Sequence, residues 1–245
     1  MEDLIIILIG FTAGLVGSML GVGGGFLIVP LLCLLLYLPM HVAVGLSLSS
    51  IVATSIFSTI TYSRKRMIDL RVGLTLEIIT LMGAICGSHI ALLLSDRVLK
   101  VIFGIALSYA SIRMIFPSKG REGKRVSLPV ALMISFMAGM ASGMLGIGGG
   151  TIKVPLMVLL FNIPVKTAIA TSAFMVGLTA STAAITYQLN GLVDPMYVVR
   201  IIIGIFAGVS VGCRLALKAK PMILRRAFGV ILLTLALRML LEGIM

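Results

Sequence analysis

The sequence predicts an all-α, polytopic integral membrane protein built from two inverted repeats. Three observations support this prediction: the composition, a duplicated glycine block and the distribution of basic residues. The 245-residue chain is 60% hydrophobic and only 11% charged, which leaves too few polar residues to cover a soluble globule. The chain is therefore expected to reside in a lipid bilayer.

A block of five residues rich in glycine occurs twice, as GVGGG at 21–25 and as GIGGG at 146–150. The same offset of 125 residues, without a gap, relates many further identities, such as Tyr62 with Tyr187. This period is far longer than that of a solenoid repeat, so the two halves are expected to share one core. The predicted divisions are a first membrane repeat at 1–118, a basic cytoplasmic linker at 119–127 and a second membrane repeat at 128–245.

Apolar runs, cut at charges, glycines and prolines, give five helical segments in each half. In the first half they cover residues 4–20, 26–38, 42–62, 72–94 and 98–116. In the second half they cover residues 128–145, 151–163, 167–187, 197–217 and 227–241. A full membrane helix needs about 20 residues, a requirement met by the third, fourth and fifth segments. The first segment is barely long enough and the second is too short, which predicts a broken or re-entrant pair hinged at the glycines.

The first segment is expected to remain as a membrane helix rather than to be removed as a signal peptide. It follows the acidic residues Glu2 and Asp3, and no small-residue cleavage site follows its apolar run. The cysteines, Cys33, Cys86 and Cys213, stand singly in apolar runs. They have neither metal-ligand spacing nor an even count, so all three are predicted to pack in the core.

Basic residues predict the orientation, because short loops rich in Lys and Arg stay on the cytoplasmic side. The loop at 63–71, the linker and the loop at 218–226 each contain four basic residues, whereas the loop at 188–196, which matches 63–71 in the repeat, contains none. With the three basic loops inside, each half crosses an odd number of times, so the halves are inverted and both termini lie outside. Inverted repeats that meet at the midplane are typical of secondary transporters. These loops together contain twelve basic residues, which explains the basic net charge of +12, so no nucleic-acid partner is expected.

The glycine blocks are the first candidates for a binding site. Three consecutive glycines weaken a helix and expose backbone, which membrane proteins tolerate where that backbone is buried in protein or lines an aqueous cavity. Free N–H groups at a helix start favour a small anion. The alternative is that the glycines only let helices approach closely, as we expect of Gly10, Gly14, Gly83 and Gly87. A nucleotide-binding loop is excluded, because neither block ends in Lys-Ser or Lys-Thr.

Hydroxyl-bearing and ionisable residues supply the other candidates. Hydroxyls at steps of three or four form a line along the third segment of each half, either as interhelical hydrogen bonds or as a polar path for an oxyanion. Lys153 stands where the first half has Ile28, and we favour an anion-attracting role over snorkelling. Glu77 is expected to reach the membrane interface, and it is the carboxylate best placed for proton coupling. The predicted substrate-binding residues are Gly23, Gly24, Gly25, Gly148, Gly149, Gly150, Lys153, Ser47, Thr54, Thr171, Ser172 and Thr179.

The two extended blocks, GVGGG-FLIVP and GIGGG-TIKVP, together with Ala-Thr-Ser at 170–172, resemble the TauE/SafE family of sulfite exporters. The resemblance covers essentially the whole chain. It implies transport of a small sulfur-containing anion, such as sulfite or an organosulfonate, across the plasma membrane, driven by an ion gradient. By matching motifs it implies roles for the glycine blocks, their prolines, Ser47, Thr171 and Ser172, whereas Lys153 is inferred from its position alone. The first half departs from Ala-Thr-Ser, with Gly-Leu-Ser at 45–47.

The sequence thus predicts a secondary transporter that moves a small anion by alternating access. No cofactor and no metal site are expected, and a proton or a sodium ion is the candidate coupling ion. A passive anion channel with the same pore chemistry is the alternative. An intramembrane enzyme is not expected, since the segments contain no paired aspartates, no Ser/His constellation and no HExxH motif.

Overall fold

A computed structural model of the chain describes residues 2–116, 128–161, 163–218 and 221–244. The predicted linker at 119–127 lies outside these residues. The described residues form five helices on each side of the linker, close to the predicted segments. They are α1 (Glu2–Leu20), α2 (Gly25–Leu36), α3 (Met40–Ser63), α4 (Leu70–Leu93), α5 (Asp96–Ile115), α6 (Leu128–Leu145), α7 (Gly150–Phe161), α8 (Val165–Leu189), α9 (Pro195–Lys218) and α10 (Pro221–Ile244).

The described helices have the length and surface of membrane spans. Six of them, α1, α3, α4, α5, α8 and α9, are long and apolar enough to cross a bilayer. Large apolar side chains such as Ile78, Leu93 and Phe206 are exposed on their outer faces. Apolar surface on this scale suits contact with lipid rather than with water. The predicted all-α, polytopic membrane fold is confirmed.

Both glycine blocks break their helices, as predicted. Residues 21–24 separate α1 from α2, and residues 146–149 separate α6 from α7. Three matched glycines in each break have a positive φ, a conformation that residues with a side chain rarely adopt. Their φ angles are +67° at Gly21, +88° at Gly23, +89° at Gly24, +70° at Gly146, +79° at Gly148 and +70° at Gly149.

The halves pack against each other in reciprocal pairs. α1 lies against α9, and α6 lies against α4, which are the matched helices with the halves exchanged. A Cβ on Gly83 of α4 would overlap the carbonyl oxygen of Phe136, and at the matched positions a Cβ on Gly208 would overlap that of Phe11. Small residues let helices pack closely in membranes, so the packing role expected of Gly83 is confirmed.

The central pair of matched helices, α3 and α8, runs antiparallel. Ser55 Oγ donates a hydrogen bond of 2.6 Å to the carbonyl oxygen of Ala173, early in α8. Gly45, earlier in α3, instead lies against Tyr187, late in α8. Matched helices of an inverted repeat are expected to run in opposite directions where they pair. The inverted orientation of the two halves in a membrane stays a prediction.

The helices contradict two of the sequence predictions. Cys86 is exposed, unlike the buried Cys33 and Cys213, because it lies on the face of α4 that points away from α6. The basic loop expected at 218–226 is shorter, because α9 extends to Lys218 and α10 begins at Pro221. Proline suits the first turn of a helix, where its missing N–H removes no intrahelical bond.

Candidate functional site

The two glycine blocks meet each other beside α3 and α8. A Cβ on Gly25 would overlap the carbonyl oxygen of Gly146, and at the matched positions a Cβ on Gly150 would overlap that of Gly21. All four glycines are buried. We call residues 21–25 and 146–150 the glycine turns. Because backbone packs directly on backbone where they meet, the turns are closed against each other in this structure.

The glycine turns bring two helix starts to this contact. Gly24 is the N-cap of α2 and has no side-chain cap hydrogen bond. In the second turn, the N–H of Lys153 donates a bond of 3.2 Å to the carbonyl oxygen of Gly149, which marks the first turn of α7. The first N–H groups of a helix have no intrahelical partner and carry partial positive charge. The predicted anion-binding glycines, Gly23, Gly24, Gly25, Gly148, Gly149 and Gly150, thus all lie in the two turns that touch.

The third helix of each half braces the glycine turn of the other half. Ser47 Oγ donates a hydrogen bond of 2.8 Å to the carbonyl oxygen of Gly146. At the matched positions, Ser172 Oγ donates one of 2.8 Å to the carbonyl oxygen of Gly21. Both serines are fully buried, where a carbonyl depends on a protein donor. The two serines therefore hold the closed arrangement, and their role in binding substrate stays a prediction.

Replacing Ser47 or Ser172 by alanine is expected to destabilise the protein by about 1–3 kcal/mol, since each change leaves a buried carbonyl without its donor. Thermal unfolding of the purified protein in detergent micelles measures the effect. Thr75→Ala is the control, because the exposed Thr75 hydroxyl bonds only to the Arg71 carbonyl of its own helix, at 2.8 Å. Unchanged midpoints for both serine variants would contradict the bracing role.

Two further predicted hydroxyls bond to backbone. Thr54 Oγ1 donates to the carbonyl oxygen of Ser50, in its own helix, at 3.4 Å. Thr171 Oγ1 accepts a bond of 2.9 Å from the N–H of Asp69 and so joins α8 to the start of α4. The Thr171 contact is of the interhelical kind. A role for either residue in binding the anion stays a prediction.

Lys153 belongs to a group of three buried polar side chains from three helices. Its Nζ donates a hydrogen bond of 2.8 Å to Oε2 of Glu77 on α4 and another to Oγ1 of Thr179 on α8. The Thr179 hydroxyl in turn donates to Oε1 of Glu77. The side chains of Lys153 and Glu77 are each 1% exposed. We call Lys153, Glu77 and Thr179 the polar triad.

The expectation that Glu77 reaches the membrane interface is wrong. Glu77 lies about 10 Å along α4 from its start, at 1.5 Å per residue, and faces inward. The sequence holds a signal for this, because Gly73, Thr80 and Gly87 follow helical spacing with Glu77 and share its buried face. Lys153 is also not a free cation, because Glu77 neutralises it. Its anion-binding role stays a prediction, now with a counterion.

The polar triad is not conserved between the two halves, because apolar residues take the matched positions of Lys153 and Glu77. At the matched positions, Ile28 of the first half stands in place of Lys153, and Ile202 of the second half stands in place of Glu77. Ile28 is fully buried, so the same place in the fold packs well with an apolar side chain. The other ion pairs among the described residues are at least partly exposed. They are His41 with Asp96, Lys100 with Glu242 and Asp3 with Arg200.

Sequence analysis missed Ser142, which lies beside the second glycine turn. A Cβ on Gly149 would lie 3.4 Å from Cβ of Ser142 and 3.7 Å from Cε of Lys153. The Ser142 hydroxyl is buried and has no hydrogen-bond partner among the described residues. The hydroxyls of Ser49, Ser58 and Thr59 share this property, and Ser142 is distinguished from them by its position beside the second glycine turn. No pattern in the sequence separates this serine from the other small residues of α6.

Comparisons with known proteins agree with these features. A family model described as sulfite exporter TauE/SafE matches residues 6–239. The probable membrane transporter protein YunE of Bacillus subtilis is 28% identical, over 100% of this chain and 99% of its own length. A probable membrane transporter protein of Xylella fastidiosa is 29% identical, over 94% of this chain and 90% of its own length.

A probable membrane transporter protein of Methanocaldococcus jannaschii is 32% identical, over 75% of this chain and 71% of its own length. No solved structure matches the chain. Since the family model spans nearly the whole chain, and since relatives over the same span are named as membrane transporters, the chain belongs to the sulfite exporter TauE/SafE family of membrane transporters.

Proposed function

We propose that this transporter moves a small, sulfur-containing anion, such as sulfite or an organosulfonate, across the plasma membrane by alternating access. The observation that supports this most directly is the contact between the two glycine turns, Gly25 on Gly146 and Gly150 on Gly21. This contact brings the starts of α2 and α7 to one place. N–H groups at helix starts attract small anions, and two such starts surround one ligand when the turns separate.

The chemistry of the donors suits an oxyanion. Sulfite and sulfonate groups present oxygen acceptors around a compact centre, and they need several N–H or O–H donors that converge. The glycine turns offer backbone N–H groups without side chains that would block close approach. The family description names sulfite, which supports a sulfur oxyanion as the substrate class.

The two serine braces support alternating access. The Ser47–Gly146 bond and the Ser172–Gly21 bond are equivalent in the repeat. Each brace can open while the other holds, so the closed contact has two equivalent ways to separate. In an inverted repeat these openings lead to opposite sides of the membrane.

In the proposed orientation the exposed basic loop at 63–71 faces the cytoplasm and both termini face outward.

Purified protein in proteoliposomes tests the substrate class. We expect uptake of at least one radiolabelled compound among sulfite, thiosulfate, sulfate, methanesulfonate and the zwitterionic sulfonate taurine, above the level of protein-free vesicles. Wild-type protein that carries none of these anions would overturn the proposal. A parallel set of measurements with and without a pH gradient shows whether protons drive the uptake.

Counterflow distinguishes the carrier from a channel. Vesicles preloaded with unlabelled anion are expected to take up external label faster than empty vesicles, because an alternating-access carrier returns loaded faster than empty. A channel shows no such acceleration. If label enters preloaded and empty vesicles at the same rate, the protein is a passive channel rather than an alternating-access carrier.

A further inference from the structure

We propose that Glu77 carries the coupling proton. In each cycle Lys153 breaks its ion pair with Glu77 and forms one with the transported anion instead. This inference rests on the proposed function and names the coupling step at the same site. In the structure Lys153 is paired with Glu77, at 2.8 Å, so the positive charge of Lys153 is already balanced. A proton on Glu77 removes that counterion and leaves Lys153 able to pair with the anion.

Lys153 has one N–H donor without an acceptor among the described residues, and its side chain lies against the second glycine turn at Gly149. A lysine ammonium has three N–H donors, and Glu77 and Thr179 accept two of them. The third is available to a ligand. The Ser142 hydroxyl, buried and without a partner among the described residues, lies against the same turn at Gly149. An anion here receives donors from Lys153, from Ser142 and from the start of α7.

No other recorded charge among the described residues competes with Lys153 for Glu77. α6 contains no charged residue, and Lys153 is the charged residue of α7. The other ionisable groups on α3, α4 and α8 are exposed or are paired elsewhere. Arg71, Cys86, His89 and Lys166 are exposed, while His41 bonds to Asp96, the Tyr62 hydroxyl to Ser18 and the Tyr187 hydroxyl to Gly143.

The exchange keeps the buried site neutral in both states. The empty site contains the Lys153 ammonium and the Glu77 carboxylate. The loaded site contains the ammonium, a monoanion and the neutral Glu77 carboxylic acid. A net charge in the membrane interior is costly, so a carrier that stays neutral changes state more easily. Each monoanion therefore travels with one proton, and a dianion such as sulfate is disfavoured because it leaves one negative charge unbalanced.

The absence of an ion pair at the matched positions supports a functional role for Lys153 and Glu77. Buried ion pairs contribute little net stability and are often replaceable by apolar side chains. Ile28 and Ile202 fill the positions that match Lys153 and Glu77 in the repeat, so the packing of this fold does not require charges there. A coupled carrier needs only one such site per cycle, and in this chain Glu77 of the first half and Lys153 of the second half form it.

The Glu77→Gln variant tests the coupling role, because glutamine keeps the shape but cannot take up a proton. The probe is methanesulfonate, a monoanion of fixed charge, with sulfite as a second probe. Wild-type vesicles are expected to accumulate the probe when the outside is acidic. An internal pH dye should report proton entry, and an imposed membrane potential should not change the rate. The variant should retain counterflow and lose both accumulation and proton entry.

Stability provides a second readout that does not need transport. Glu77→Gln leaves Lys153 without a counterion, so we expect a lower unfolding temperature in detergent and a larger upward shift on adding methanesulfonate than wild type shows. Equal shifts in the two proteins would mean that the anion does not replace Glu77, and would overturn the proposal.

Two control variants separate coupling from general damage. Glu77→Asp keeps a carboxyl group and is expected to retain accumulation driven by the pH gradient. Glu242→Gln removes the partly exposed partner of Lys100 and should behave as wild type. If Glu77→Gln protein accumulates the probe like wild type, the coupling role of Glu77 is overturned and the proposed function is not. Uptake by the wild type without proton entry has the same consequence. Wild type that carries none of the tested anions would overturn the proposed function as well.

Discussion

Replacing Lys153 by alanine is expected to abolish gradient-driven uptake and to destabilise the protein by about 3–5 kcal/mol, because the change leaves a buried carboxylate unpaired. The Glu77 side chain is 1% exposed, so water does not replace the lost ammonium. The Thr179 hydroxyl remains, but one neutral donor does not balance a full charge. From the sequence alone this variant is expected to fold normally, and the pairing with Glu77 reverses that expectation. Thermal unfolding in detergent and uptake into proteoliposomes measure the two effects.

A double variant separates the loss of folding from the loss of transport. Lys153→Met with Glu77→Gln removes both charges, and such replacements are often neutral or stabilising. We expect this protein to unfold near the wild-type temperature and to show no uptake. Lys100→Ala is the matched control, because its partner Glu242 is partly exposed and such pairs contribute about 0–1 kcal/mol. A double variant with wild-type uptake would remove the polar triad from the transport site.

Alanine at Gly25 or at Gly150 is expected to block transport, because the added methyl group prevents the two glycine turns from closing. The overlap is with backbone carbonyl oxygens, of Gly146 and of Gly21, which cannot rotate away as a side chain does. Overpacking of this kind costs about 1–3 kcal/mol. The positions are matched in the repeat, so we expect similar losses of uptake from both variants.

Gly191→Ala is the control for the glycine variants. Gly191 has a φ of +68°, but nothing lies within 4 Å of an added Cβ. Alanine there is expected to cost about 1–2 kcal/mol of backbone strain and to leave uptake unchanged. Wild-type uptake by both Gly25→Ala and Gly150→Ala would mean that transport does not require the turns to meet.

The helices and the helix breaks follow from local properties of the sequence. Apolar runs mark the helices because each must be long enough to span lipid, and the glycines mark the breaks because the positive φ there excludes most other residues. The constant offset of 125 residues also predicts that matched features recur in both halves. The contact between the two glycine turns is harder to predict, since it depends on how the halves pack.

The polar triad could not be derived from the sequence, because its members come from three separate helices. Lys153 and Glu77 each stand out as rare charges in apolar runs, but nothing in their spacing of 76 residues pairs them. Their meeting depends on the packing of α4, α7 and α8. Ser142 is still harder to predict, because a hydroxyl can be recognised as lacking a partner only when the positions of all its neighbours are known.

The reciprocal serine braces also bear on the origin of the protein. Ser47 serves the glycine turn of the second half and Ser172 that of the first, so a half-length chain lacks the donor for its own turn. A half-length copy of this chain therefore needs a second copy to supply that donor. Joining both halves in one chain fixes their ratio at one to one and allows them to differ, as Lys153 opposite Ile28 illustrates.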